Sequence, residues 1–268
     1  MHKMITLPTR RKLKNHVTLR QLISNSFVMA YRSVRKLRRT PEQFFDVLIQ
    51  PILFTLLFTY VFGGAIAGGV KSYLPLLIPG ILVQTVITTS TVTGVQLRED
   101  MEKGVFNRFR SLPIARIAPL AGALLADLIR YGVATLLTIL TAYVIGYRPD
   151  LIGIIFSSLF VVLVAWCMSW IFAFFGVVGR SAASVQSISM LVLFPLTFLS
   201  NAFVPMNTLP AALQIIAKVN PVTYLVSTLR QLANEGTIGP DFWLTLLGAS
   251  LTVLIFVPLT VKMYMRKS

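Results

Sequence analysis

The sequence predicts an all-α integral membrane protein. Six transmembrane helices are expected, with an amphipathic interfacial helix before the first and a short cytoplasmic helix between the second and third. Short re-entrant helices are expected before the last. Three observations carry this prediction. The 268 residues are 55% hydrophobic and 13% charged, with mean hydropathy +0.75, whereas a soluble domain carries roughly 25% charged residues. Charge-free windows recur at 47–70, 72–97, 131–147, 151–179, 181–217 and 242–261, most of them longer than the roughly 20 residues a spanning helix needs. The third is the placing of the basic residues: of 25 Lys and Arg, 11 fall in the first 40 residues, five in 98–116 and three in the last seven. A soluble helical core would show polar faces at the helical period, and LIGIIFSSLFVVLVAWCMSWIFAFFGVV (151–178) has none.

The elements follow in order. Residues 1–40 form a basic tail and interfacial helix. Within 18–40, Leu19, Leu22, Ile23, Phe27, Ala30, Val34 and Leu37 repeat at helical spacing, and most of the basic residues lie off that stripe. Such a helix rests in the membrane interface, although a solvated basic tail is the alternative. Thr40-Pro41-Glu42 reads as a turn and helix restart. Residues 41–268 form the membrane domain, with spans at about 44–64, 74–96, 118–145, 151–178, 185–204 and 242–262. With both termini cytoplasmic, about twenty of the 25 basic residues lie inside, which fixes the orientation because Lys and Arg translocate poorly. Prolines 205, 210, 221 and 240 cut 201–240 into pieces. Asn220-Pro221 reads as a helix start, followed by the apolar stripe Leu225, Val226, Leu229 and Leu232. Two short helices dipping into the outer leaflet are expected, with an ordinary external loop as the alternative.

Several kinds of chemistry are absent. Cys167 is the single cysteine, both histidines lie in the first 16 residues, and neither HExxH nor CxxC occurs, so no metal site and no catalytic residue is expected. Gly-Lys never occurs, so there is no phosphate-binding loop, and any ATPase must be another chain. The net charge of +16 would suggest nucleic acid in a soluble protein, but no basic patch is interleaved with stacking aromatics, and charge here serves topology.

Candidate site residues remain. Asp127 and Arg130 stand at i,i+3 inside the third span and are expected to neutralise each other in a structural role rather than relay protons. Gln84, Thr85, Thr88 and Thr89, with Ser90, Thr91 and Thr93, make the second span polar. They either line a path for an amphiphilic substrate or hydrogen-bond to backbone and neighbouring helices. Phe194 and Phe198, with Phe203 and Asn201, form a second candidate lining, for which packing is the alternative. Pro79, Pro195 and Pro258 should kink their helices.

The segment LREDMEKGVFNRFRSLPIAR (97–116) carries eight charges between two apolar stretches. Its acids Glu99, Asp100 and Glu102 precede Arg108, Arg110 and Arg116, the order a short helix of about 98–113 favours at its dipole ends. Phe106, Phe109 and Leu112 give it an apolar edge and Pro113 ends it. Docking into a groove on a partner protein and lying on anionic lipid are both open to such a helix.

This segment resembles the cytoplasmic helix of ABC type-2 exporter permeases, especially the daunorubicin-resistance permease group. QPILFTLLFTYVFGG (50–64), LLIPGILVQ (76–84), FPLTFLSNAFVPMNTLP (194–210) and NPVTYLVSTLRQL (220–232) resemble it too, in order over nearly all of 40–262. The resemblance implies a coupling helix seated on a separate ATP-binding subunit, at Glu102, Lys103, Gly104, Phe106, Arg108, Phe109, Arg110 and Pro113. It further implies two ATPase copies binding ATP and Mg, a second permease chain in a homo- or heterodimer, and no cofactor in this chain. The second and fifth helices would form much of the dimer interface and transport path in a bacterial inner membrane. A drug, antibiotic or lipid would leave the cell along it. A non-transporting scaffold that recruits a cytoplasmic partner is the competing expectation, and an ion-driven carrier ranks third.

Overall fold

The protein is described by a computed structural model covering residues 19–39, 41–67, 69–105 and 117–267. Among these residues there are nine α-helices and no strand: α1 (Leu19–Arg39), α2 (Pro41–Ala67), α3 (Val70–Glu102), α4 (Ala118–Ile145), α5 (Leu151–Val178), α6 (Ala182–Phe198), α7 (Ala211–Val219), α8 (Pro221–Glu235) and α9 (Pro240–Lys267). Four of them, α3, α4, α5 and α9, are long and apolar enough to cross a membrane. Two further apolar stretches, Ile49–Val61 of α2 and the whole of α6, are shorter.

Local chemistry explains the boundaries. Asp150 caps α5, its Oδ2 accepting from the Gly153 N–H at 2.6 Å. Ser181 and Ser184 close a reciprocal capping box at the start of α6. Asn220 Oδ1 accepts from the Val222 N–H at 2.9 Å, and Pro221 opens α8, as its sequence suggests. The stripe Leu225, Val226, Leu229 and Leu232 is buried in the bundle. At the end of α5, Lys267 Nζ donates to the carbonyls of Val177 (2.8 Å) and Val178 (3.2 Å), satisfying acceptors with no helical partner.

The centre of the bundle is α3, which packs against α2, α4, α5, α6 and α8. Its closest neighbour is α5, and the two backbones meet at glycines. A Cβ on Gly176 would stand 2.3 Å from the Gly94 carbonyl oxygen, and one on Gly94 would stand 2.2 Å from that of Phe172. Small residues at such a crossing let two helices in lipid gain dispersion contacts along their whole length.

Four expectations change. First, α3 does not stop at 96: it runs unbroken for 33 residues, about 50 Å, to Glu102. Nothing from Gln96 to Glu102 breaks a helix, and two i,i+4 ion pairs, Arg98–Glu102 and Glu99–Lys103 (both 3.2 Å), favour continuing it. Glu99, Asp100 and Glu102 therefore end α3 rather than begin a separate helix. Second, α6 stops at Phe198 rather than 204, where the Asn220 side-chain amide donates to the carbonyls of Leu196 (2.8 Å) and Leu199 (3.0 Å). Third, one residue of the expected α1 stripe, Ala30, turns with Ser26 and Met29 onto the protein, chiefly α4, whereas Ile23 and Phe27 of that stripe stay exposed. Fourth, the second expected span is enclosed by its own chain, so of the two helices expected at a dimer interface only α6 keeps an uncovered face.

Candidate functional site

Lys103 and Gly104 form a turn at the charged end of α3. Gly104 has φ +65°, and its N–H donates to the Met101 carbonyl at 3.1 Å, the left-handed stop that glycine adopts without steric cost. Glu102, just before the turn, has one carboxylate oxygen shared between two donors: Arg98 Nε at 3.2 Å and the backbone N–H of Ala182 at 3.1 Å. Of the eight expected coupling positions, Glu102, Lys103 and Gly104 are seen. Phe106, Arg108, Phe109, Arg110 and Pro113 lie outside the described residues, and Lys103 is largely exposed.

Asp127 and Arg130 form the ion pair expected from their spacing, with Arg130 Nη1 2.9 Å from Asp127 Oδ1 and the residues 2% and 4% exposed. Both charges have further partners on α3. Thr93 Oγ1 donates to Asp127 Oδ2 at 2.7 Å, and Arg130 Nη2 donates to Gln96 Oε1 at 2.5 Å. Buried charges are tolerated when paired and hydrogen-bonded in this way, and the four side chains tie α4 to α3. A small cavity beside them reaches Arg32 of α1 and Asp100 of α3.

The polar residues of α3 divide into two groups. Thr89, Ser90 and Thr91 donate back to the carbonyls of Thr85, Ile87 and Thr88 at 2.6–2.8 Å, so their hydroxyls are satisfied within the helix. Thr85 is buried and Thr88 half-buried. Gln84 differs, because it is buried and its Oε1 has no hydrogen-bond partner among the described residues. Phe194 and Phe198 stack at 5.3 Å on the uncovered face of α6. The aromatic series continues through Phe203 (5.5 Å from Phe198) to Phe58 (4.5 Å) and Phe54 (5.8 Å) of α2. Phe54 and Phe58 escaped the sequence reading, since a contact between α2 and the end of α6 has no local signature. Asn201 is not on that face. It is buried, and its Nδ2 donates to Ser227 Oγ on α8 at 3.0 Å.

At the opposite end of α3 lies a junction that sequence reasoning missed. Pro79 has no N–H, so the carbonyl of Pro75 one turn back loses its helical donor. Asn234 Nδ2 on α8 donates to that oxygen at 2.9 Å. Arg230, one turn earlier, donates to the carbonyls of Leu76 (3.0 Å) and Asn201 (2.5 Å). Tyr147 Oη donates to Asn234 Oδ1 at 2.7 Å, and burial raises that phenol's pKa above its ordinary value. In the sequence, Arg230 was one charge among several in an outer segment. Two prolines and an Arg/Asn pair, each at i,i+4, were the available signal. Between α5, α6, α8 and α9 there is also an apolar cavity of about 400 Å³, lined by Met168, Leu196, Leu225 and Gly248 among others.

Among the described residues no cluster of His, Cys, Asp or Glu could hold a metal. The arrangement is a bundle with a charged turn at one end, a hydrogen-bonded cap at the other and an uncovered aromatic face between them.

Comparison with known proteins adds the context. A family model described as ABC-2 type transporter matches residues 25–233. The daunorubicin resistance ABC transporter permease protein DrrB1 of Streptomyces coeruleorubidus is 38% identical over 251 residues, covering 92% of this chain and 88% of that protein. The probable doxorubicin resistance ABC transporter permease protein DrrC of Mycobacterium tuberculosis is 25% identical over 252 residues, 90% of this chain and 89% of its own. The inner membrane transport permease YadH of Escherichia coli K12 is 23% identical over 208 residues, covering 73% and 78%.

Proposed function

The chain belongs to the ABC-2 type transporter family as the multi-pass membrane permease of an exporter, and from that premise we propose how it works and what it carries. It exports a hydrophobic or amphiphilic molecule, a drug, antibiotic or lipid, through the bacterial inner membrane. Work comes from a separate ATPase subunit, two copies per complex, which holds the ATP and Mg that this chain has no motif to bind. α2 and α6 complete six spans with α3, α4, α5 and α9, both termini are cytoplasmic, and α7 and α8 dip into the outer leaflet. A second permease chain covers the exposed face made by Leu53, Leu57 and Tyr60 of α2 and Leu191, Phe194 and Phe198 of α6.

The observation that carries this reading is the continuity of α3. One helix about 50 Å long runs from the charged turn at Lys103-Gly104 to the Arg230 and Asn234 cap, so displacement at the turn is felt at the far end. The ATPase docks at that turn and the residues after it, Phe106, Arg108, Phe109, Arg110 and Pro113.

The test is reconstitution in proteoliposomes with a candidate partner ATPase subunit, using daunorubicin and a fluorescent phospholipid as probes. ATP-dependent movement of either probe, lost when Gly104 or Arg108 is replaced in a permease that remains inserted, is the expected result. An ATPase that binds but moves neither probe under any nucleotide condition would leave only the recruiting scaffold.

A further inference from the structure

Glu102 stands among the residues expected to face the ATPase and is exposed, yet one of its carboxylate oxygens is already engaged within its own chain. Oε1 accepts from Arg98 Nε at 3.2 Å, which holds the side chain in place, and from the Ala182 N–H at 3.1 Å. Ala182 is the first residue of α6, 80 positions away in sequence. The first-turn N–H groups of a helix have no partner within it, and they form the positive end of its dipole. Here the Ser181–Ser184 capping box takes the N–H groups of residues 181 and 184. The capping box leaves the N–H groups of Ala182 and Ala183, and Glu102 takes that of Ala182 in a charge-assisted bond.

One face of the start of α6 is packed, with Val185 and Ser189 fully buried, while its polar edge is open. Ser181, Ala183 and Ser187 are exposed, and only residues 179–181 connect α6 to α5. α3 ends at Glu102, and the left-handed turn at Gly104 follows at once. A displacement of that turn therefore reaches Glu102 first and the start of α6 next, while the other end of α6 is held by Asn220. α6 is also the helix that presents Phe194 and Phe198 on the uncovered face.

Resting on the exporter reading above, we propose that Glu102 is a positioning residue for transport. It transmits nucleotide-driven movement of the coupling turn to α6 through the Ala182 N–H, and it is not a contact of the ATPase.

Two variants cut the same bond from opposite sides. Glu102→Ala removes the acceptor. Ala182→Pro removes the donor at the first helical position, where proline is accepted; Ser181 before it is already extended (φ −144°, ψ 158°), as a residue before proline must be. Neither oxygen of Glu102 is altered by the second change, so any contact with an ATPase would survive it. The complex of permease and ATPase is placed in nanodiscs with a spin label at Ser187 on α6, and the distance between the two copies is measured with and without ATP and vanadate. The expected result is a nucleotide-driven shift in the parent that both variants lose, with the ATPase retained at parental stoichiometry in each. Glu102 is an ATPase contact, and the proposal fails, if Glu102→Ala releases the ATPase while Ala182→Pro behaves as the parent. It also fails if Ala182→Pro keeps the shift. A parent complex in which the ATPase never binds would instead overturn the exporter reading itself.

Discussion

Arg130 lies 2.9 Å from Asp127 on the same face of α4, and each is also held by a side chain of α3, so two buried charges join two helices. Removing one partner leaves the other charge buried and unpaired. Asp127→Leu alone should destabilise the protein by about 3–5 kcal/mol, and adding Arg130→Met should cost far less than the sum of the two single changes. A double-mutant cycle on thermal unfolding in detergent measures this. In Asp127→Asn, transport should fall only as far as folded protein does. A stable but inactive Asp127→Asn would mean that the carboxyl carries protons.

The crossing of α3 and α5 should be intolerant of a single methyl group. Gly176→Ala places a Cβ 2.3 Å from a backbone oxygen that cannot rotate away, and a cost of about 1–3 kcal/mol is expected. Gly132→Ala, where nothing lies within 4 Å, is the control and should be neutral or stabilising by up to about 1 kcal/mol. Apparent melting temperatures of the two variants decide the matter.

The cap on Pro75 makes a prediction about proline. Asn234→Leu loses the bonds to Pro75 and Tyr147 and should cost about 1–3 kcal/mol. Pro79→Ala supplies the N–H that Pro75 lacks, so the double variant should be more stable than the two single effects summed. Additive effects would show that Asn234 is not serving the proline gap.

Gly104 holds φ +65°, which costs a residue with a Cβ roughly 1–2 kcal/mol, and asparagine less. In the reconstituted complex Gly104→Ala should reduce ATP-linked transport more than Gly104→Asn does, with both variants inserted in equal amount. Equal transport in the two would mean that the turn geometry is immaterial.

Features set by spacing along one helix were legible beforehand: the Asp127–Arg130 pair, the start of α8 at Asn220-Pro221, and its buried Leu225, Val226, Leu229 and Leu232 stripe. Hydroxyls such as Thr89 were ambiguous, because a threonine that satisfies its own helix and one that lines a path look identical in sequence. The end of α3 was misplaced because Glu99, Asp100 and Glu102 suit the start of a new helix by charge order, while their i,i+4 partners suit continuation of the old one. The continuous helix keeps its backbone bonds as well as the ion pairs, which outweighs a dipole preference of a few tenths of a kcal/mol.

Sequence by itself determined that the chain lives in lipid, that it is helical, that it has no nucleotide loop, and that a charged segment interrupts it between apolar runs. These follow from composition and period, which are additive along the chain. Only the tertiary structure decided that Glu102 reaches Ala182, that Asn234 fills the gap left at Pro75, that Gly94 meets Gly176, and that α3 rather than α6 is enclosed. Each depends on a donor and an acceptor, or two backbones, far apart in sequence finding each other, the glycine crossing inside the bundle and the Glu102 and Asn234 bonds at its exposed ends. Composition and period carry no record of such pairings, because a backbone donor or acceptor left without a helical partner can be satisfied by any polar group the folded chain brings near it.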